Sequence, residues 1–112
     1  MKPLERYCFT LDLKDDDELI REYEAHHANI WPEVLQSFQD AGIVHLEMYR
    51  AGTRVVMLFD VNEQFSFEKK SRIDRNNPAI AKWEALMSQY QQALPGALAD
   101  EKWVKMKRIL KL

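Results

Sequence analysis

The stretch that most constrains this chain is 22–33, which reads Glu-Tyr-Glu-Ala-His-His-Ala-Asn-Ile-Trp-Pro-Glu. It ends a run with helical periodicity, so Tyr23 and His27 are predicted to meet on one face of a helix. That face continues at the spacing of an inward-facing apolar stripe, through Ile20, Ile30 or Trp31, Val34 and Phe38. A phenol and an imidazole are therefore predicted to point together toward the protein interior.

Pro32 divides this stripe between two helices. Proline has no N–H to donate to the carbonyl of Ala28, and its ring clashes there, which breaks or kinks a continuous helix. It also biases Trp31 toward an extended conformation. The pattern predicts one helix over about 16–28 and a second with Pro32 in its first turn. The break leaves backbone groups around residues 27–30 without helical partners, so we expect a place there for a small polar molecule.

Hydrophobic alternation predicts strands on either side of these helices. The predicted strands are 7–13, 43–50, 54–61 and 103–110. Gly42 is predicted to end the second helix, and the turn 51–53 to join the next two strands. The charged segment 64–72 is weakly helical, and a firmer helix begins at Asn77-Pro78 and ends at Pro95-Gly96.

The order strand, broken helix, strand, strand, helix, strand predicts an α+β fold. One antiparallel sheet with helices on one face, the ferredoxin-like βαββαβ arrangement, is the simplest closure of that order. Residues 55–59 are apolar on both faces, which is typical of a strand that is covered on both sides. The face of the sheet without helices then carries Val56, Leu58 and Ile43. We expect a homodimer in which two such faces pack together.

Composition bounds the class of protein. With 46% hydrophobic and 30% charged residues, residues 1–112 are predicted to form one globular domain. The net charge of −2 argues against a nucleic-acid partner. Cys8 is the single cysteine, which excludes an internal disulfide and suits a reducing compartment. No apolar run predicts a signal peptide or a membrane span, so we expect a cytoplasmic protein without a membrane partner.

Among the ionisable residues, His27 is the main candidate for chemistry. Adjacent helical residues point about 100° apart, so His26 and His27 cannot both bind one metal on a regular helix. No metal-ligand spacing, nucleotide-binding loop or nucleophile motif occurs, so neither a metal nor another cofactor is predicted. An imidazole titrates near neutrality, which suits proton transfer at ordinary pH.

These residues also have structural interpretations. A histidine on an apolar helical face is often a satisfied core residue, and Tyr23 and Trp83 can equally be core aromatics. Glu47 and His45 on the second strand would either line the dimer interior or be solvated. Aromatic residues beside a polar cleft nevertheless suit sugars, whose rings present apolar C–H faces between hydroxyls.

The combination of these residues resembles the L-rhamnose mutarotase family, whose members include relatives that act on L-fucose. The resemblance covers nearly the whole chain and is carried by the string Tyr-x-x-x-His-x-x-Ile-Trp-Pro-Glu at residues 23–33, after an opening strand. It also includes Gly42 before the second strand, Tyr49 near the end of that strand, and Trp83 four residues before Met87. It implies a dimeric α/β barrel that interconverts the α and β anomers of a 6-deoxyhexose without a cofactor.

The resemblance also implies roles for individual residues. His27 corresponds to the proton donor, Tyr23 to a sugar-binding residue and Trp83 to part of an aromatic wall. The rhamnose enzymes carry a tyrosine near Leu46 and a tryptophan pair where this chain has Trp83-Glu84. Glu84 is expected to bind substrate, since a carboxylate accepts hydrogen bonds from hydroxyls where an indole only stacks or donates one bond. L-Fucose therefore stands beside L-rhamnose as an expected monosaccharide substrate.

Anomer exchange requires a proton at the ring oxygen while another leaves the anomeric hydroxyl. His27 is predicted to serve one oxygen, and Tyr23, Glu84 or a bound water the other. Two other functions of the same fold remain open. One is a ligand-binding module without turnover, in which His27 only packs. The other is a small dimeric-barrel oxygenase acting on a flat aromatic substrate.

Overall fold

The computed structural model describes residues 5–98 and 101–112, in which helices and strands alternate much as the sequence predicts. The elements are β1 (Glu5–Leu13), α1 (Asp17–Ala28), α2 (Pro32–Ala41), β2 (Ile43–Ala51), β3 (Arg54–Val61), α3 (Phe67–Arg75), α4 (Pro78–Ser88), β4 (Gln91–Gln92) and β5 (Val104–Lys105). The α+β class and the ferredoxin-like order are confirmed, with the second helical part divided into α3 and α4.

The strands form one antiparallel sheet in the order β2-β3-β1-β4, with β5 also paired to β1. Along β1 and β3, Tyr7 lies opposite Phe59 and Leu11 opposite Val55. Because side chains alternate along a strand, these residues share the face that packs against the helices. The neighbouring pairs, Cys8 with Leu58 and Thr10 with Val56, point to the other face, which we call the helix-free face.

Local sequence sets the helix boundaries around the predicted break. The Asp16 carboxylate caps α1 by accepting from the N–H groups of Glu18 and Leu19. Trp31 is extended, with φ −62° and ψ 138°, and Pro32 occupies the first position of α2 as predicted. Gly42 ends α2 in the left-handed region, with φ 99°, which is the predicted glycine cap.

The core lies between the sheet and the helices. Its larger cluster joins β1 and β3 to α1, α2 and α4, through Leu11, Leu13, Val55, Ile20, Tyr23, Val34, Ile80, Trp83, Met87 and Tyr90. Leu11 and Val34 are almost fully buried, and each such side chain contributes roughly 1.5–3 kcal/mol of apolar burial. A smaller cluster contains Ile43, Phe59 and Val61, with Phe38 and Phe65 packed against it.

The predicted strand 103–110 is wrong for most of its length. Only Val104 and Lys105 pair with β1, and residues 106–112 have no regular secondary structure. The alternation of residues is present, but a strand exists only where a neighbour accepts its backbone hydrogen bonds.

The predicted ends of two helices also shift. The helix predicted to reach Pro95 ends at Ser88, because Gln91 and Gln92 pair with β1 instead. The weak helical segment lies three residues later than predicted in both bounds, at Phe67–Arg75. Its start is set by Ser66, whose hydroxyl accepts from the N–H of Lys69 at 3.0 Å.

Ile43 was expected on the helix-free face, and this expectation is wrong. A β-bulge between Ile43 and His45 resets the alternation of β2, so Ile43 is buried among Phe59 and Val61 while Val44 is 52% exposed. Val56 and Leu58 do lie on the helix-free face, opposite Thr10 and Cys8. Ion pairs border that apolar strip, Arg6 with Asp60 at 2.7 Å and Arg54 with Asp12 at 2.5 Å.

Within residues 5–98 and 101–112, no helix is long and apolar enough to span a membrane.

Candidate functional site

A cavity of about 490 Å³ lies between the sheet and the helices. Small-molecule sites commonly have volumes of about 300–1,000 Å³. All four predicted site residues, Tyr23, His27, Trp83 and Glu84, line this cavity. Most of the remaining wall is apolar, and its further aromatic members are Phe9, Phe38, Phe59, Phe65, Phe67 and Trp103.

His27 lies at the end of α1 with its ring against two aromatic neighbours. Ring centroids are 4.4 Å apart for Tyr23 and 5.6 Å apart for Trp83. The Nδ1 atom is 2.8 Å from the Tyr23 carbonyl oxygen. A carbonyl only accepts, so Nδ1 carries the proton in the neutral ring and Nε2 is the nitrogen available to a ligand.

Burial lowers the pKa of His27 below its usual value of 6.5. The hydrogen bond to the Tyr23 carbonyl opposes this shift, and the neighbouring His26 adds to it. The imidazole is therefore neutral at pH 7 and begins as a proton acceptor at Nε2.

Tyr23 presents a buried hydroxyl beside this imidazole. The residue is 3% exposed, and its Oη makes no hydrogen bond of good geometry within the described residues, although the Gln91 side chain lies close enough to interact weakly with it. Burial raises the pKa of the phenol, against a smaller lowering by the nearby Gln91 side chain, so the group keeps its proton. A buried hydroxyl without a partner is destabilising unless water or a ligand satisfies it.

Trp83 belongs both to the core and to the cavity wall. It is 8% exposed and is held edge-to-face by Trp31 at 5.2 Å as well as by His27. Trp83 is therefore a core residue and a wall residue of the cavity at the same time. His26 follows on a neighbouring face of α1, and its ring centroid lies 6.5 Å from that of Trp83. Its Nε2 atom is 3.2 Å from the Tyr90 hydroxyl oxygen.

Glu84 is exposed at the edge of the cavity, one residue beyond Trp83 on α4. One turn later, the Ser88 hydroxyl donates to the Glu84 carbonyl at 2.8 Å, and Lys102 Nζ donates to the Ser88 hydroxyl. The bond from Lys102 connects the C-terminal segment, residues 101–112, to α4. The next residue, Trp103, lines the cavity.

The backbone at the helix break is partly satisfied within the chain. The N–H of Asn29 donates to the His26 carbonyl at 3.2 Å, and its side-chain amide donates to the Ala25 carbonyl at 3.4 Å. These two carbonyls are thus already bonded within the chain, and the polar groups of this region that line the cavity are the side chains of Tyr23 and His27.

Five further polar residues in the wall were not predicted from the sequence: Ser37, Gln91, Lys102, Lys70 and Asp74. Lys70 and Asp74 are the two that form an ion pair with each other. They belong to α3, whose charged sequence indicated a weak surface helix. Their spacing of four residues is the sequence feature that could have predicted this pair, since it places the two side chains together on one helix face. His45 and Glu47 do not line the cavity. Both are exposed on the helix-free face, where His45 Nε2 lies 3.0 Å from Glu47 Oε1.

Fold and cavity together define the class: a ferredoxin-like α+β protein with an aromatic binding cavity and a histidine in its wall. The sequence profile of the L-rhamnose mutarotase family matches residues 6–112. The L-fucose mutarotase of Xanthomonas campestris pv. campestris is 46% identical over 111 residues, covering 97% of this chain and 89% of that protein. This chain therefore belongs to the L-rhamnose mutarotase family, and its homologues are isomerases that act on sugars.

Solved structures agree with the fold. The crystal structure of an L-rhamnose mutarotase from Formosa agariphila matches with a TM-score of 0.71 at 18% identity, covering 96% of this chain and 98% of that one. A dimeric ferredoxin-like protein from an uncultured marine organism matches with a TM-score of 0.55 at 12% identity, covering 89% and 95%.

Proposed function

We propose that this protein is a mutarotase of the aldose 1-epimerase type, which interconverts the α and β anomers of a 6-deoxyhexose, with residues 1–112 acting as one domain. The observation that carries the proposal is the setting of His27. Its ring lies in the wall of an aromatic cavity, 4.4 Å from the ring of Tyr23, whose hydroxyl has no hydrogen-bond partner of good geometry within the described residues. These side chains offer a proton-transfer group and an orienting hydroxyl.

The reaction exchanges protons at two oxygens. On ring opening, the anomeric hydroxyl loses its proton, the bond between C1 and the ring oxygen breaks, and the ring oxygen gains a proton. This produces an open-chain aldehyde. Rotation about the bond between C1 and C2 and the reverse steps close the ring from the other face. Atoms and electrons balance without a redox partner, so general acid–base catalysis suffices.

His27 serves the anomeric hydroxyl in this proposal. The neutral ring accepts the hydroxyl proton at Nε2, while the other proton stays on Nδ1, which donates its hydrogen bond to the Tyr23 carbonyl. On closure, the imidazolium returns a proton from Nε2. The donor role implied by the family resemblance and the acceptor role favoured by the lowered pKa thus belong to the two directions of one step.

Tyr23 serves the ring oxygen in this proposal. A phenol that burial keeps protonated can donate a hydrogen bond and then its proton to that oxygen as the bond to C1 breaks, and it takes the proton back on closure. Glu84 and bound water are the alternative proton carriers for this oxygen. Trp83 offers an aromatic surface for the apolar C–H face of the sugar.

We expect L-fucose to be the preferred substrate over L-rhamnose. The support is the 46% identity to a protein named as an L-fucose mutarotase. Glu84 also places a hydrogen-bond acceptor at the edge of the cavity, at the position where the family resemblance implies a second tryptophan in the rhamnose enzymes.

We further propose that the protein acts as a homodimer that covers the helix-free face. Val56 and Leu58 form the apolar centre of that face, opposite Thr10 and Cys8 of β1. The C-terminal segment leaves Ile109 91% exposed and Leu110 73% exposed, which a second copy would cover. The matched marine protein is described as dimeric.

The test is anomer exchange measured by proton NMR saturation transfer on L-fucose, L-rhamnose and common hexoses. The proposal predicts that catalytic amounts of protein accelerate exchange of a 6-deoxyhexose well above the uncatalysed rate, without added cofactor. A pure binding module would broaden or shift sugar signals without accelerating exchange. No acceleration for any sugar would overturn the proposed function.

A further inference from the structure

Lys70 and Asp74 form a partly buried ion pair in the cavity wall that the proposed reaction leaves unused. Lys70 Nζ lies 2.5 Å from Asp74 Oδ2, and both side chains are 20% exposed. They belong to α3, which packs against α2 and α4, whereas Tyr23 and His27 belong to α1. The pair therefore meets the cavity from a different element than the proton-transfer groups.

Each member of this pair has unused hydrogen-bonding capacity. Asp74 Oδ1 is buried and has no hydrogen-bond partner within the described residues. Lys70 has three donors, of which one serves Asp74, and its Nζ lies 5.4 Å from the centre of the Phe38 ring. A buried carboxylate oxygen without a donor is rare in folded proteins and calls for an explanation.

A purely structural role explains this arrangement poorly. Lysine and aspartate at this helical spacing stabilise a helix on its exposed surface, where both stay hydrated. At 20% exposure both charges have lost much of their water, and an ion pair withdrawn from water often contributes less than apolar residues of similar volume. The arrangement is favourable if a polar ligand replaces the lost water.

We propose that Lys70 and Asp74 bind a vicinal diol of the sugar, at the edge of the ring remote from the anomeric carbon, and so determine which sugars the site accepts. This inference rests on the proposed mutarotase function. One hydroxyl donates to the Asp74 carboxylate, and the oxygen of the adjacent hydroxyl accepts from Lys70. The terminal torsion of aspartate is soft and roughly two-fold, so a small rotation presents the unpartnered oxygen to the ligand.

The hydroxyls at C3 and C4 are the diol that fits this position. In a pyranose they lie across the ring from C1 and the ring oxygen, where His27 and Tyr23 are proposed to act. L-Fucose and L-rhamnose differ in configuration at C2 and C4, so a polar pair that binds the C4 hydroxyl distinguishes them. A charged donor beside a charged acceptor forms strong hydrogen bonds only with hydroxyls at the right position and configuration, so binding depends on both.

The test removes the pair without leaving a single buried charge. The double variant Lys70→Met/Asp74→Leu substitutes apolar side chains of similar size, a change that commonly leaves stability unchanged or raised. KM for L-fucose is expected to rise about tenfold or more, as for the loss of a charge-assisted hydrogen bond, with kcat nearly unchanged. 4-Deoxy-L-fucose keeps only the C3 contact with the pair, so the same variant is expected to raise its KM by a smaller factor and to lose most of the preference for L-fucose over the 4-deoxy sugar.

A matched control comes from α2. Gln36 and Asp40 have the same spacing on an exposed helix face, with Gln36 Nε2 donating to Asp40 at 2.9 Å. Gln36→Met/Asp40→Leu is expected to leave KM for both sugars unchanged. The single variant Asp74→Asn keeps the size of the side chain and is expected to raise KM for L-fucose by a smaller factor, since an amide still accepts one hydrogen bond.

The outcomes separate this inference from the proposed function. If the wild-type protein exchanges anomers and the double variant keeps its KM and its preference for L-fucose over the 4-deoxy sugar, the pair is structural and the inference is overturned. A uniform loss of kcat for both sugars also contradicts it. If the wild-type protein neither accelerates exchange nor shows a sugar-dependent rise in melting temperature, the proposed function fails, and the diol site fails with it.

Discussion

At the scale of single residues, His27 links the sequence pattern to the chemistry. Its spacing from Tyr23 predicts that both side chains face inward, and both line the cavity. The tautomer and the lowered pKa, however, come from a 2.8 Å contact with a backbone carbonyl and from burial. A helical pattern cannot report either quantity.

The first prediction concerns the loss of this imidazole. His27→Asn keeps a polar side chain but cannot transfer a proton near neutral pH. Anomer exchange is expected to fall by about 10²–10⁴-fold, the usual contribution of a general acid–base group. NMR saturation transfer measures the rate, and circular dichroism checks the fold.

The adjacent imidazole provides the control. His26→Asn loses the contact with the Tyr90 hydroxyl and is expected to reduce the rate far less than His27→Asn. Equal losses in the two variants would indicate damage to α1, and an undiminished rate in His27→Asn would contradict the catalytic assignment.

The second prediction is the pH dependence of the rate. Nε2 must be unprotonated to accept the anomeric proton, and burial lowers the pKa of His27 below 6.5. Exchange is therefore expected to hold its rate through pH 7 and to fall only below 6.5, along one limb of the kcat/KM profile. A limb centred above 6.5 would contradict the lowered pKa.

The third prediction is that the lowered pKa of His27 makes the free energy of unfolding depend on pH. Between its unfolded pKa of 6.5 and its lower folded pKa, His27 binds more protons in the unfolded chain, so stability falls as pH falls through this window. Above 6.5 the contribution is fully present. Urea unfolding from pH 7.5 to 5 is expected to show a smaller loss of stability in His27→Asn than in the wild type. Parallel curves for the two proteins would refute this.

At the scale of elements, two helix ends position the site. Pro32 stops α1 so that His27 lies in its last turn, and Gly42 ends α2 directly before β2. The Gly42 carbonyl accepts from the N–H of Asn62 at 2.9 Å, which ties the end of α2 to the end of β3. Both helix ends could be predicted from the sequence because proline and glycine act through local backbone geometry.

The fourth prediction tests the glycine cap. At Gly42, φ is +99° and an added Cβ would lie 2.5 Å from Asn62 Oδ1 and 3.2 Å from the N–H nitrogen of Phe65. Asn62 Oδ1 already accepts from the N–H of Gln64, which limits its retreat. Gly42→Ala is expected to destabilise the protein by about 2–3 kcal/mol, from backbone strain plus collision.

Gly52 offers the matched comparison for that variant. Its φ is +60°, and an added Cβ meets no atom within 4 Å among the described residues. Gly52→Ala is therefore expected to cost about 1 kcal/mol, from backbone strain alone. Denaturant unfolding measures both values, and an equal loss in the two variants would show that the collision at Gly42 is relieved by movement.

At the scale of the whole molecule, the sheet has one face covered by helices and one face open. The open face combines an apolar centre at Val56 and Leu58 with the bordering pair Arg6–Asp60. Its other polar members include Glu47, which accepts from the Tyr49 hydroxyl at 2.6 Å. An apolar centre with a polar rim is typical of a protein interface.

The fifth prediction tests whether a second copy covers this face. The wild-type protein is expected to sediment as a dimer at micromolar concentration. Leu58→Glu places a charge at the apolar centre and is expected to give a monomer, because an unpaired buried charge is strongly unfavourable in an interface. Val44→Glu, at a position that is already 52% exposed, is expected to remain dimeric. A monomeric wild type would contradict the homodimer.

Much of the architecture followed from the sequence because its causes are local. Alternation placed β1, β2 and β3 within two residues of their observed ends, and Pro32 and Gly42 marked the bounds of α2. The same local periodicity brought Tyr23 and His27 onto one inward face, and Trp83 onto the inward stripe of α4.

Only the tertiary structure decided what depends on distant partners. The predicted strand at 103–110 shortened to two residues because pairing requires a neighbour, and a bulge turned Ile43 into the core. The sequence alone indicated that Lys70 and Asp74 are surface charges, whereas the packing of α3 at the cavity leaves both side chains only 20% exposed. Periodicity reports the direction of a side chain, whereas burial and unsatisfied hydrogen bonds arise only when separate elements come together.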